Sequence, residues 1–236
     1  EFIDRALQIA PDAPRALLAQ VTLFHDEGRV AEAGKAAARI KDDSRISITV
    51  KTDQLIFERR FADAATGLQA FCAAAEPGGS LDVVQQGFLP TLGYCQQRTG
   101  RVAEAQATYA RAVHEIKPAP DTVVLVDQTG LPIALAYAYA GLGEKEKALA
   151  AAHQAVADYK DDTLVLPGAE IALAQIEAQV GEIDAAIAAL PHLLEVPDGL
   201  TPGLLKIDPF WDPLRKDPRF EALLKASSVS QKDGPR

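Results

Sequence analysis

A glycine followed five residues later by an alanine recurs along this chain of 236 residues, at Gly28–Ala33, Gly100–Ala105, Gly143–Ala148 and Gly181–Ala186. Glycine takes the left-handed backbone conformation without steric cost, so each of these glycines is expected to end one helix and turn the chain. The small alanine then falls where the next helix crosses the one just completed, and a larger side chain there would push the two apart. Apolar residues at i, i+3, i+4 and i+7 run through both members of each pair. A poorer copy, Arg59-Arg60-Phe61-x2-Ala64, lacks the glycine. A helix pair of about 30 residues cannot bury its apolar faces alone, so the copies must lean on one another in a row. The only β-like run, Val123-Val124-Leu125-Val126, reads better as a helix start or a loop lining.

The fullest copy is Leu89-x2-Leu92-Gly93-x2-Gln96-x3-Gly100-Arg101-Val102-x-Glu104-Ala105-x3-Tyr109-x2-Ala112, followed by Pro118. A second runs from Leu135 through Tyr139, Gly143, Ala148 and Ala152 to Ala155, and a third from Leu173 through Gly181 and Ala186 to Leu190. The pattern resembles the tetratricopeptide repeat, with its Leu-Gly step, aromatic, alanine, second aromatic and closing proline. The anchoring alanines at 33, 64, 105, 148 and 186 are spaced by 31, 41, 43 and 38. The family period is about 34, so longer helices or inserted loops are expected at 76–82, 117–130 and 159–167.

The resemblance implies an all-α fold, a right-handed superhelical solenoid of antiparallel helix pairs. The expected units are 1–12 (the second helix of an incomplete repeat), 13–43, a divergent 44–76, 82–118, 128–160 and 164–197. A capping segment, 201–226, and a polar tail, 227–236, follow. In the cap, Asp208-Pro209, Asp212-Pro213 and Asp217-Pro218 each suit a helix start, with Asp as N-cap and Pro in the first turn. Phe210, Trp211, Leu214, Phe220 and Leu223 are expected to cover the open face of the last repeat. This ending resembles those of tetratricopeptide regions attached to bacterial signalling proteins. With no methionine even at position 1, and with Phe2, Ile3, Ala6 and Leu7 resembling half a repeat, the chain reads as part of a larger multidomain protein.

Composition narrows the partners. A formal net charge of −9 speaks against nucleic acid, whose affinity rests on clustered Lys and Arg. No apolar run is long enough to span a bilayer, so no membrane contact is expected of this segment. Cys72 and Cys95 are too few for a disulfide framework or a zinc site, and read as small buried thiols in a cytoplasmic protein.

Catalytic signatures are not apparent. His25, His114, His153 and His192 have no second ligand at metal-binding spacing on the same helix face, so no metal is expected. Gly141-Leu142-Gly143 lacks the third glycine and the lysine of a phosphate loop and reads as a helix-ending turn. The pairs Asp42-Asp43 and Asp161-Asp162 read as solvated caps. The chain is therefore read as a non-enzyme without a cofactor.

If the pairs stack as the family does, the first helix of each lines a concave groove. Its phase places there Thr49, Asp53 and Ile56; Thr91, Tyr94, Gln97 and Arg98; Ile133 and Tyr137; and Ile171, Gln175 and Gln179. Of these, Asp53, Tyr94, Gln97, Arg98, Tyr137 and Gln175 are the candidate contacts to a protein or peptide, since Tyr and Arg are favoured anchors. Tyr94 and Tyr137 fall at matching places, and packing between helices is an equal reading for both. Arg98 is the only cation in the groove, unlike the Lys- and Arg-lined grooves that hold acidic chaperone tails. The rival reading is a self-assembly module that pairs chains through the apolar face of residues 2–9.

Overall fold

A computed structural model describes residues 2–41, 44–73, 81–116, 130–197 and 199–230. Asp42, Asp43, Pro118, Val123–Val126 and most of the insertion expected at 117–130 lie outside the described residues, as do most of 76–82 and the end of the tail. Among the described residues all regular structure is helical and no strand is present. The helices are α1 Phe2–Ile9, α2 Pro14–Asp26, α3 Val30–Ala37, α4 Arg45–Phe57, α5 Phe61–Ala73, α6 Val83–Arg98 and α7 Val102–Glu115. They continue with α8 Gly130–Leu142, α9 Lys145–Asp158, α10 Leu166–Gln179, α11 Ile183–Leu193, α12 Pro202–Ile207 and α13 Pro218–Ser230, with a 3-10 helix, Pro209–Leu214, between the last two. None is long and apolar enough to cross a membrane.

Local chemistry sets the ends of these helices. Ser44 caps α4 by accepting from the Ser47 backbone amide. Asp82 and Gln85 form a reciprocal capping box at the start of α6. Gly28, Gly100, Gly143 and Gly181 have φ of 72°, 79°, 78° and 88° and turn the chain after α2, α6, α8 and α10. Arg59 turns it after α4 with φ of 62°, the only described non-glycine residue in that region. The missing glycine therefore did not change the turn; an arginine carries the strain instead.

Consecutive helices pack on one another from α1 to α11, as a helical repeat requires, and α2 also meets α4, α6 meets α8, and α8 meets α10. Ala33, Ala64, Ala105, Ala148 and Ala186 are all buried to within 1% exposure, each where a second helix meets its partner. The Tyr109 ring of α7 wedges between α6 and α8 where both carry glycine. A Cβ on Gly93 would sit 2.6 Å from its Cε1, and one on Gly141 would sit 2.2 Å from its Cζ. Gly141 thus makes room for a ring, while Gly143 alone makes the turn.

The C-terminal segment works on two sides. Trp211, Leu214 and Phe220 are fully buried against Ala174, Ala186, Leu190 and Leu193 of α10 and α11, with Leu223 packed partly against them. α12 reaches back to α2, where the Thr201 hydroxyl donates to the Asp26 carbonyl at 2.8 Å. Backbone meets backbone here, since a Cβ on Gly203 would lie 2.2 Å from the Asp26 oxygen and 2.4 Å from the Gly28 nitrogen. The chain therefore runs from its last helix pair to its first.

Candidate functional site

Between α4, α6, α8 and α10 on one side and the returning segment on the other lies a cavity of about 370 Å³. Its walls hold Asp53 and Ile56 of α4, Thr91 and Tyr94 of α6, Ile133 and Tyr137 of α8, and Ile171, Gln175 and Gln179 of α10. Most of the residues assigned to a groove from helix phase are thus brought together. Gln97 and Arg98 stand exposed outside the cavity, and Thr49 does not line it.

Leu204, Asp208 and Phe210 close the opposite side, so the groove expected to be open carries the chain's own residues. Phe210, expected over the last helix pair, turns the other way. Its ring stacks on Tyr94 with centroids 4.3 Å apart and an 18° interplanar angle, and its centroid is 5.4 Å from that of Tyr137. The physical reason is the tight 3-10 turn, which sends neighbouring Phe210 and Trp211 to different sides. Tyr94 also meets the edge of Phe61 at 5.9 Å. Both readings of the tyrosines therefore hold a part of the outcome: Tyr94 is buried in packing yet lines the cavity, and Tyr137 is half-buried.

A polar chain crosses the cavity floor. The Tyr137 hydroxyl donates to the Gln175 Oε1. The Gln175 Nε2 donates to the Asp208 Oδ2 at 2.7 Å, and the Phe210 amide donates to the Asp208 Oδ1 at 2.9 Å. Burial pushes the Asp208 carboxyl up to about 6, against the pull of these two hydrogen bonds and of Arg59 and Arg215. Burial likewise raises the Tyr94 phenol well above its ordinary value. The Tyr94 hydroxyl and the Gln179 Nε2 are buried with no hydrogen-bond partner among the described residues.

Outside the cavity, Asp212 gathers three arginines. Arg59 holds it with two bonds, at 2.6 and 2.9 Å, Arg98 donates at 3.1 Å and Arg215 at 2.7 Å. Burial works to raise the Asp212 carboxyl, but the hydrogen bonds from Arg59 and Arg215 outweigh it and hold the group below its ordinary value. The Arg98 guanidinium also lies 5.0 Å over the Phe61 ring. Arg59 was read from the sequence only as a damaged turn, and Asp208 and Asp212 only as caps. The signal that could have found them is the pair of Asp-Pro steps flanking an aromatic pair.

The titratable side chains that line the cavity are Asp53, Asp208 and the tyrosines Tyr94, Tyr109 and Tyr137. Among the described residues no histidine or cysteine lines the cavity, and no cluster of metal-ligating groups occurs. Cys72 and Cys95 are buried elsewhere, and burial pushes their thiols up to about 11 and about 12, which makes both poor nucleophiles. His25 is buried against Gln54, with its Nε2 2.7 Å from the amide oxygen, and burial lowers its pKa. No family model matches this chain, and no characterised protein matches it in sequence.

Proposed function

We propose that this chain is a tetratricopeptide-like binding module, a right-handed superhelical stack of antiparallel helix pairs that holds a protein or peptide partner along its concave face. In this reading it is the interaction region of a larger multidomain protein and catalyses nothing itself. The observation that supports it best is the convergence of side chains from α4, α6, α8 and α10 on one face that already accommodates a foreign-looking segment. There Phe210 sits against Tyr94 and Tyr137, and Asp212 sits between Arg59 and Arg98. A face that takes an aromatic ring and a carboxylate from a non-repeating segment has the chemistry to take them from a partner. Rigid helices lose little ordering entropy when they do so.

With Leu204, Asp208 and Phe210 of the chain itself lining the inner cavity, the partner's contacts fall on the exposed rim at Gln97 and Arg98. The test is selection of displayed peptides on the full chain, repeated with a Gln97→Glu, Arg98→Glu variant. Enriched peptides should lose at least tenfold in affinity on the variant. Failure to enrich any peptide, or enrichment that ignores both substitutions, rejects the reading.

A second reading, self-association, is favoured by one observation: Phe2 and Ile9 of α1 are 92% and 79% exposed. Sedimentation of the chain at tens of micromolar decides it. A dimer that dissociates on Phe2→Ser, Ile9→Ser supports assembly through α1, and a strict monomer removes it.

A further inference from the structure

We infer that Phe210 and Asp212 are an internal competitor, seated where a partner peptide places an aromatic residue and, two positions later, an acidic one, and that such a peptide displaces them. The inference rests on the peptide-binding reading and names the class of partner and the contact that restrains it.

Three observations carry it. The first is a division of labour along the returning segment. Asp208, Trp211 and Leu214 are buried, at 9%, 0% and 0% exposure, and Trp211 and Leu214, three residues apart, share one side of the 3-10 turn. Phe210 and Asp212 are only half-buried. One set of side chains therefore anchors the segment and another fills the groove. The second is what that other set meets. Phe210 lies against rings from two successive units, Tyr94 of α6 and Tyr137 of α8. Asp212 meets Arg59, just after α4, and Arg98, at the end of α6, besides Arg215 of its own segment. Tyrosine and arginine aligned on one face are favoured anchors for a bound peptide. The third is how lightly the pair is held. The Asp212 side chain is 23% exposed and those of Arg59 and Arg98 are each 38% exposed, so solvent screens these ion pairs and another carboxylate exchanges for Asp212 at little cost. A half-buried ring leaves by rotation about its side-chain bonds, with Trp211 still in place. A tethered competitor weakens any partner by the fraction of time for which its seat is empty.

The probe is a fluorescein-labelled hexapeptide with the sequence of residues 208–213, titrated to millimolar concentration and followed by anisotropy. The expected result is binding at least tenfold tighter to a full-chain Phe210→Ala, Asp212→Ala variant than to the parent. Circular dichroism checks that the helices persist. Either alanine placed in the peptide instead, or Arg98→Glu added to the variant, should abolish the gain. Asp212→Asn, which keeps the ring and the shape of the side chain, should by itself raise affinity at least threefold and serves if the double variant does not fold. Equal binding to parent and variants, no binding to any of them, or a gain that ignores the alanines in the peptide overturns the competitor. Displayed peptides that bind parent and variant alike, yet still weaken on Gln97→Glu, Arg98→Glu, overturn it too and leave the peptide-binding reading standing. Capture of no peptide by either chain removes both.

Discussion

Alanine placed at Gly87 and at Gly93 should change stability in opposite directions, although both sites lie inside α6. Replacing an interior helical glycine by alanine gains about 1 kcal/mol of helix propensity at either position. At Gly87 nothing opposes that gain, because the new methyl meets no heavy atom within 4 Å. At Gly93 it would lie 2.6, 2.8 and 2.9 Å from Cε1, Cδ1 and Cζ of Tyr109, closer than carbon atoms approach. The ring cannot retreat, since the backbone of Gly141 stands on its other face and even a Cβ there would be 2.2 Å away. Overpacking typically costs about 1–3 kcal/mol, and a ring pinned on both faces belongs at the upper end. Gly87→Ala should therefore gain about 1 kcal/mol and Gly93→Ala lose about 2 kcal/mol. Because propensity is common to both, the gap of about 3 kcal/mol reads the clash alone. Urea unfolding followed at 222 nm measures it, with hydrogen exchange in α6–α8 as the check that local fraying is not mistaken for global unfolding. Adding Tyr109→Leu to Gly93→Ala should cost less than Tyr109→Leu by itself. Two alanine variants of equal stability would refute the wedge between the helices.

The remaining predictions concern the returning segment. Asp208 has a folded pKa of about 6 against an ordinary 3.8, so it is the folded state that holds the extra proton between those values. Stability from this group therefore falls as pH rises from about 4 to 6, by about 3 kcal/mol. Asp208→Asn removes that slope, so its stability relative to the parent should climb by that amount between pH 4 and 7, and a flat difference contradicts the burial of the carboxyl. Gly203→Ala should lift α12 from α2, at a cost of about 1–3 kcal/mol, and speed hydrogen exchange at residues 24–30 and 199–207; unchanged exchange removes the contact. Arg59→Gly should leave overall stability within about 1 kcal/mol yet speed exchange across residues 208–214, and a variant protected like the parent there shows that the arginine does not hold the segment.

What could be read in advance follows from the range of the interaction. Gly28, Gly100, Gly143 and Gly181 act within one turn, and their alanines act on the neighbouring helix, so periodicity alone located them. Tyr94, Tyr137 and Gln175 occupy matching places on successive first helices, and phase brought them to one face. The roof escaped because it belongs to no repeat. The Arg59–Asp212 bond joins residues 153 apart and the Thr201–Asp26 bond joins residues 175 apart, and helix period carries no information about such pairs. Phe210 and Trp211 compounded the error. Adjacent aromatics invited assignment to one apolar face, whereas a 3-10 turn gives one of them to the last helix pair and the other to the cavity.

Arg59 joins the two halves of this account. An L-residue in the left-handed region costs about 1–2 kcal/mol, which every other turn of this type in the described chain avoids with glycine. The two bonds to Asp212 offset that cost only about evenly, because the arginine side chain is 38% exposed and solvent screens the pair. An arginine that adds no net stability still does what glycine cannot: it fixes where Asp212 sits, and through the 3-10 turn where Phe210 and Asp208 sit. The strained turn is therefore better explained by the shape it gives the cavity than by the stability of the fold. On this view the departure from the repeat at Arg59 and the returning Asp208–Asp212 segment form one device, and a substitution at either end should disturb the cavity before it disturbs the helices.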